Sequence, residues 1–213
     1  YSVYLSTSAT VQNNIIVDNS TYGIYSNSYR SVQNNLVWRH TTNTYSVSNQ
    51  NGVVYNPLFV SKSNHRLTSY SPARKAGRGG DDIGALPYIS DKTPTLQGKL
   101  HEDLVLAAGT HTVVGDLLVG VGATLTLSPG ATLQLAESDK MEGGSNSGEA
   151  ELIVEGTLQA VGSASAKIAI EGSAAGGTFY GLRLLSGSST TLRFAELRDA
   201  QRAIDSQGTF ELS

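Results

Sequence analysis

The four residues Val-Gln-Asn-Asn occupy positions 11–14 and return at positions 32–35, each time followed by apolar residues. Tyr22-Gly23-Ile24-Tyr25 has its counterpart at Tyr1-Ser2-Val3-Tyr4 with the same shift, and Tyr45-Ser46-Val47 is a third copy displaced by two residues. A period of about 20 residues constrains the fold more tightly than composition does. Each repeat carries two short β-branched runs, such as Ile15-Ile16-Val17 and Ile24-Tyr25, separated by Asn, Ser and Gly. Such runs are strands bounded by turns. No stretch from Tyr1 to Val60 shows the spacing of an amphipathic helix. Strands that recur without hairpins predict a solenoid, in which each repeat is one coil and successive coils pair in parallel about 4.8 Å apart. Equivalent residues then lie above one another.

That stacking gives the repeated asparagines a physical purpose. A tight bend leaves backbone groups unpaired, and an Asn amide can bond to the bends above and below. Asn13, Asn14, Asn34 and Asn35 are therefore expected to form a turn ladder. The tyrosines admit two readings. Tyr1 should stack on Tyr22 and Tyr4 on Tyr25, with Tyr29, Arg30 and Trp38 nearby. Such a column either stabilises the sheet from coil to coil or offers flat apolar rings to sugars.

The chain changes character near its middle. Eleven of the twelve asparagines lie at or before Asn64, and nine of the ten tyrosines at or before Tyr88. The second half uses Gly, Ala, Leu and Glu instead. There Leu117, Val119, Val121, Leu125, Leu127, Leu133 and Leu135 alternate with small or polar residues, and Gly122 and Pro129-Gly130 mark bends. The segment YISDKTPTLQGK, with Pro94, separates the halves. The expected organisation is 1–90 as the last coils and closing segment of one module, 91–98 as linker, and 99–213 as the start of a second.

Composition removes several function classes. No cysteine is present, so disulfides, thiolate metal sites and thiol catalysis are excluded. Residues 1–90 carry a basic excess and the remainder an acidic one, but neither is dense enough for nucleic acid. No apolar run approaches membrane-spanning length. The four histidines lack metal-ligand spacing. The Gly-rich stretches GRGG and GSAAGG lack the strand–loop–helix context of a phosphate cradle and are expected to be loops. MEGGSNSGE, from Met141 to Glu149, is expected to be a mobile surface excursion from one coil.

Two segments carry a family resemblance. NPLFVSKSNHRLTSYSPARKAGRGGDDIGALPY, Asn56 to Tyr88, resembles the closing segment of secreted right-handed parallel β-helix proteins of the pectate-lyase-like superfamily, including the choice-of-anchor Q type. Asn56-Pro57-Leu58-Phe59, Arg66-Leu67, Ser71-Pro72-Ala73, Ala76-Gly77 and Asp82-Ile83-Gly84-Ala85 occur in the family's order. Arg74-Lys75 stands where the family has Ile-Asp. GTHTVVGDLLVGVGATLTLSPGATLQLAES is similar to the opening of bacterial surface β-helix modules. The resemblance implies an all-β fold of two consecutive right-handed parallel β-helix modules, on the cell surface or outside the cell.

It implies no single activity, because this architecture hosts enzymes, adhesins and stalks. A lyase of this fold needs clustered carboxylates for a cation, and Asp18 stands apart from Asp81-Asp82, which read as a turn or cap. No catalytic residue, metal or cofactor is assigned. The expected function is structural or adhesive: a stalk, sheath or filament component pairing end to end with its own copies or with flanking β-helix segments of a longer chain. The alternative is a carbohydrate-binding or polysaccharide-cleaving module, a lyase or glycoside hydrolase, using Tyr1, Tyr4, Tyr22, Tyr25, Tyr29, Arg30 and Trp38.

Overall fold

The computed structural model describes residues 1–18, 21–91, 95–173 and 177–213. Two compact units divide the chain, Tyr1–Pro94 and Thr95–Ser213. The middle of the expected linker, Lys92 to Pro94, lies outside the described residues, as does the Ala174–Gly176 core of GSAAGG. Both units are built of strands, and nearly all pairs are parallel.

In the first unit the strands are β1 (Val3–Leu5), β2 (Ile15–Val17), β3 (Tyr22–Gln33), β4 (Leu36–Trp38), β5 (Thr42–Gln50), β6 (Phe59–Ser61) and β7 (Asn64–Leu67). Parallel pairing sets Val3 beside Ile24 and Ile15 beside Leu36, so the repeat period is the pairing register. Gln12 bridges Gln33, and Gln33 pairs with Gln50. The chain thus visits three columns in turn: β1 with the starts of β3 and β5, Gln12 with their ends, and β2 with β4 and Val53. Ile24 and Val37 pack with Leu5, Ile16, Val32 and Val47 in the interior.

The corner after Gln12 and Gln33 explains the paired asparagines. Asn13 and Asn34 both adopt left-handed backbone, with φ of 59° and 53°, and Asn51 follows at 50°. Asn tolerates that region better than any other residue except Gly. Asn14 and Asn35, one position on, turn their amides to each other. The Asn14 backbone N–H and side-chain Nδ2 both donate to Asn35 Oδ1 at 3.0 Å. Asn35 Nδ2 donates to the carbonyls of Val11 and Gln33, each at 3.0 Å, and lies 3.3 Å from Asn49 Oδ1. The third circuit has Gly52 in the equivalent position. A Cβ there would meet the Asn49 amide nitrogen at 2.2 Å, so the Asn49 side chain occupies the space a third asparagine would have filled.

The closing segment fastens onto the same corner. Asn13 Oδ1 accepts the Arg78 N–H at 2.9 Å, its carbonyl accepts the Gly84 N–H, and Asn34 Nδ2 donates to the Ala76 carbonyl. The first Asn of each pair therefore faces the closing segment and the second faces the ladder. Ile83, Ala73 and Leu67 from that segment bury against Leu36 and Trp38. Asp82 ties its turn, accepting the Lys75 N–H with Oδ1 and the Tyr88 N–H with Oδ2. Arg74 lies 4.1 Å from the Tyr88 ring centre and donates to the Ser69 carbonyl. Its cation–π contact makes it a strut of the segment.

The second unit begins with β8 (Leu96–Leu100) and β9 (Leu104–Leu106), followed by the long β10 (Gly109–Val119). It continues through β11 (Thr124–Leu127), β12 (Ala131–Leu135), β13 (Glu151–Val154), β14 (Thr157–Val161) and β15 (Ile168–Gly172). It ends with β16 (Phe179–Leu184), β17 (Ser189–Arg193), β18 (Ala195–Leu197), β19 (Ala200–Ser206) and β20 (Thr209–Leu212). Again three columns are visited in turn. One holds β8, the end of β10, β13, β16 and β19; another holds β9, β11, β14, β17 and β20; the third holds the start of β10, β12, β15 and β18. Register stacks Leu117, Leu152 and Leu182, and likewise Leu125 on Leu158. Of the alternating apolar positions, Leu117, Val119, Leu125, Leu127, Leu133 and Leu135 are buried, whereas Val121 is 81% exposed. It falls in the turn between β10 and β11, beside Gly122 at φ +80°, where the strand alternation no longer applies.

The ladder yields a graded prediction. Asn35→Ala removes partners from Val11, Gln33 and the Asn14 N–H inside the unit and should cost about 2–4 kcal/mol. Asn14→Ala, at the exposed end of the ladder, should cost about 1 kcal/mol or less. Trp38 is the one tryptophan and is buried in this unit, so its fluorescence during urea unfolding measures both.

Candidate functional site

The tyrosines gather on the first column of the first unit. Register sets Tyr4 beside Tyr25 and Tyr25 beside Tyr45. Tyr25 is the centre: it stacks on Tyr45 at 5.2 Å and 10°, on Tyr1 at 5.5 Å and 15°, and on Tyr4 at 5.8 Å. Tyr22 tilts against both Tyr25 and Tyr45. Tyr1 therefore reaches diagonally to Tyr25, where the direct repeat pairs it with Tyr22. The hydroxyls are tied as well, Tyr25 donating to Asn27 Oδ1 and Asn27 Nδ2 donating to the Tyr4 oxygen, each at 2.8 Å. Tyr45, absent from the sequence-derived set, completes the column.

The remaining residues of that set separate from it. The pairing of β3 with β5 shifts between Tyr25 and Arg30, which carries Tyr29 out of the column to 72% exposure. Arg30 folds back, its Nη1 donating to the Tyr29 carbonyl. Trp38 belongs to the β2–β4 sheet and is buried with Leu36, Leu67, Ala73 and Ile83, with the Arg39 guanidinium 5.1 Å from its ring centre. Its apolar ring is core, which removes it from any sugar-facing surface. On the column itself the ring faces are largely taken by neighbouring rings. Tyr1, Tyr4 and Tyr45 keep solvent-facing surface. Beside the asparagine corner lies an open groove of about 400 Å³, floored by Ile15, Val17 and Phe59 and edged by Asn13, Asn14 and His65.

The second unit contains a charged cluster that sequence reading missed. Asp116, Asp139 and Glu151 are all buried. β10 and β13 set Asp116 next to Glu151, because Leu117 pairs with Leu152. Asp116 Oδ1 accepts the Glu151 N–H at 2.8 Å, and Glu151 Oε2 pairs with Arg183 Nη1 on β16 at 2.8 Å. Burial is the largest effect on Asp116, and the negative charge of Asp139 adds to it; together they push its carboxyl up to about 8. These acids organise the Met141–Glu149 excursion, whose Glu142, Gly144, Ser145, Ser147 and Gly148 are exposed at the surface as its composition suggests. Met141 is fully buried, and backbone N–H groups of Met141, Gly143, Ser145 and Asn146 all point at carboxylate oxygens. Asp116 was detectable in principle as an acid flanked by Val113-Val114 and Leu117-Leu118-Val119, but its neighbours were not. The 35-residue interval to Glu151 contains the loop and follows no repeat.

Elsewhere the titratable groups serve local structure. Arg39 pairs with Asp18 on the surface, and Arg202 with Asp205. His40 Nε2 lies 3.2 Å from the Ile16 carbonyl, and His111 Nε2 2.8 Å from that of Ala107. Among the described residues no group of three or more His, Cys, Asp or Glu side chains is arranged to hold a metal ion.

Tyr25→Ala should destabilise the first unit by about 1–2 kcal/mol, since it removes the ring on which four others rest. Tyr29→Ala should change stability by under about 0.5 kcal/mol. Urea unfolding followed by Trp38 fluorescence distinguishes them. No protein-family model matches this chain, and no similar protein emerges among curated proteins or solved structures.

Proposed function

We propose that this chain is a structural or adhesive part of an extracellular protein: two consecutive lengths of right-handed parallel β-helix acting as stalk, sheath or filament. The observation that carries this reading is how the polar and aromatic side chains are used. The asparagine amides, the stacked tyrosine faces and the buried carboxylates bond mainly to neighbouring circuits and to the segments packed on them. Three columns of parallel strands suit a rigid spacer, because each added circuit repeats the same pairing. Parallel strand edges can accept a further strand of the same kind, from a flanking segment or from another copy. Cell-surface location rests on the resemblance of Asn56–Tyr88 to the closing segments of secreted proteins. No helix among the described residues is long and apolar enough to cross a membrane.

The exposed rings of Tyr1, Tyr4 and Tyr45 favour a second reading, in which this face binds glycans. Two measurements separate the readings. Sedimentation velocity with electron microscopy should show linear species that lengthen with concentration, and a glycan array should show no saturable binding. A strictly monomeric protein that binds a glycan, and loses it on Tyr45→Ala, would replace the structural reading with the second.

A further inference from the structure

The loop at 136–150 joins β12 to β13 and lies folded on the three buried acids of the second unit. Asp139 Oδ1 accepts the N–H groups of Asp116 and Met141 at 2.9 and 2.7 Å, and its Oδ2 accepts that of Gly143 at 2.9 Å. Glu151 Oε1 accepts those of Ser145 and Asn146 at 2.8 and 2.7 Å. Asp116 Oδ1 takes the Glu151 N–H, while Asp116 Oδ2 is buried with no hydrogen-bond partner among the described residues. A Cβ on Gly144, whose φ is +64°, would lie 2.7 Å from Glu151 Oε2 and 2.8 Å from Asp116 Oδ2. The Gly144 backbone therefore closes over the two oxygens.

The charge balance is unequal. Three carboxylates face one guanidinium, that of Arg183. Two other charged groups nearby are engaged elsewhere. Lys99 on β8 pairs with Glu155, and Glu149 receives Asn146, Thr178 and Gln201. Lys140 and Glu142 are exposed, and β12 brings no charged residue. Uncompensated negative charge in an interior site costs several kcal/mol, and such sites neutralise by taking up a proton. We propose that a proton on Asp116 Oδ2 latches this loop, so that the loop stays closed while the proton is held and opens when alkaline pH removes it. Asp116 is the group to carry it: Asp139 and Glu151 spend both oxygens on N–H donors or on Arg183, and Asp116 alone has a free one.

The stability consequence has a definite sign. The Asp116 carboxyl titrates near its ordinary 3.8 in the unfolded chain and at about 8 in the folded one. The folded state holds a proton that the unfolded state has lost between those values, so stability declines as pH rises from about 4 to about 8 and levels off above.

The test uses the full chain. Carbon-detected NMR of the side-chain carboxyls should give Asp116 a midpoint near 8, with the Gly143, Ser145 and Asn146 amides moving at the same midpoint. Cleavage after Lys140 by a lysine-specific protease, normalised to a lysyl model peptide, should run roughly tenfold or more faster at pH 9.5 than at pH 6.5. Asp116→Asn, which is neutral at every pH, should abolish that acceleration. An Asp116 midpoint below 6 in the wild-type protein would overturn the latch, and so would an Asp116→Asn variant that opens as the wild type does. Should that variant fail to fold, the wild-type titration still decides.

Discussion

Stacking in parallel register is the constraint on which everything else in this protein rests. Once Val3 lies beside Ile24 and Ile15 beside Leu36, the polar groups at a corner find partners in the neighbouring circuits and in the segment packed on them. Asn35 shows how closely this works. It is fully buried, yet its amide bonds to the first, second and third circuits together. A buried amide left without partners costs more than most single contacts contribute. The ladder therefore fixes the register as firmly as the apolar columns do.

The two asparagines of each pair divide their work by geometry. Left-handed backbone at Asn13 and Asn34 turns the chain and aims their side chains at Arg78 and Ala76. The next residue is then placed to join the ladder. The same economy appears in the second unit, where Asp116 and Glu151 become neighbours through register and organise the loop that interrupts the repeat. A stiff repeated frame makes such insertions affordable, because the strands on either side of the loop keep their pairing.

Much of this was legible in the sequence. The period predicted the parallel register because identical residues recur only where identical environments recur. The alternating Leu and Val of the second half marked its interior. What escaped notice had physical reasons. Asn51-Gly52 did not read as a third Asn pair, because Gly52 gives its place to a side chain from three residues earlier. Trp38 looked like a surface aromatic, but it lies in the same strand as Leu36 and Val37 and is buried with them. Tyr1 leans across to Tyr25, since ring packing follows the twist of the sheet as well as the repeat. The acids beneath the loop were hidden because their spacing is set by an insertion with no period of its own.

The fold depends on register, and the absence of cysteine makes register easy to probe. Thr126 pairs with Gln159, and Gln159 with Thr191, in the second unit. Cysteines placed at 126 and 159 would have α-carbons about 4.8 Å apart, within reach of a disulfide. Cysteines at 126 and 191 would be about 10 Å apart and beyond it. Under mild oxidation the first pair should cross-link within the chain and the second should not. Efficient cross-linking of 126 to 191, or none of 126 to 159, would contradict the stacked register and with it the fold described here.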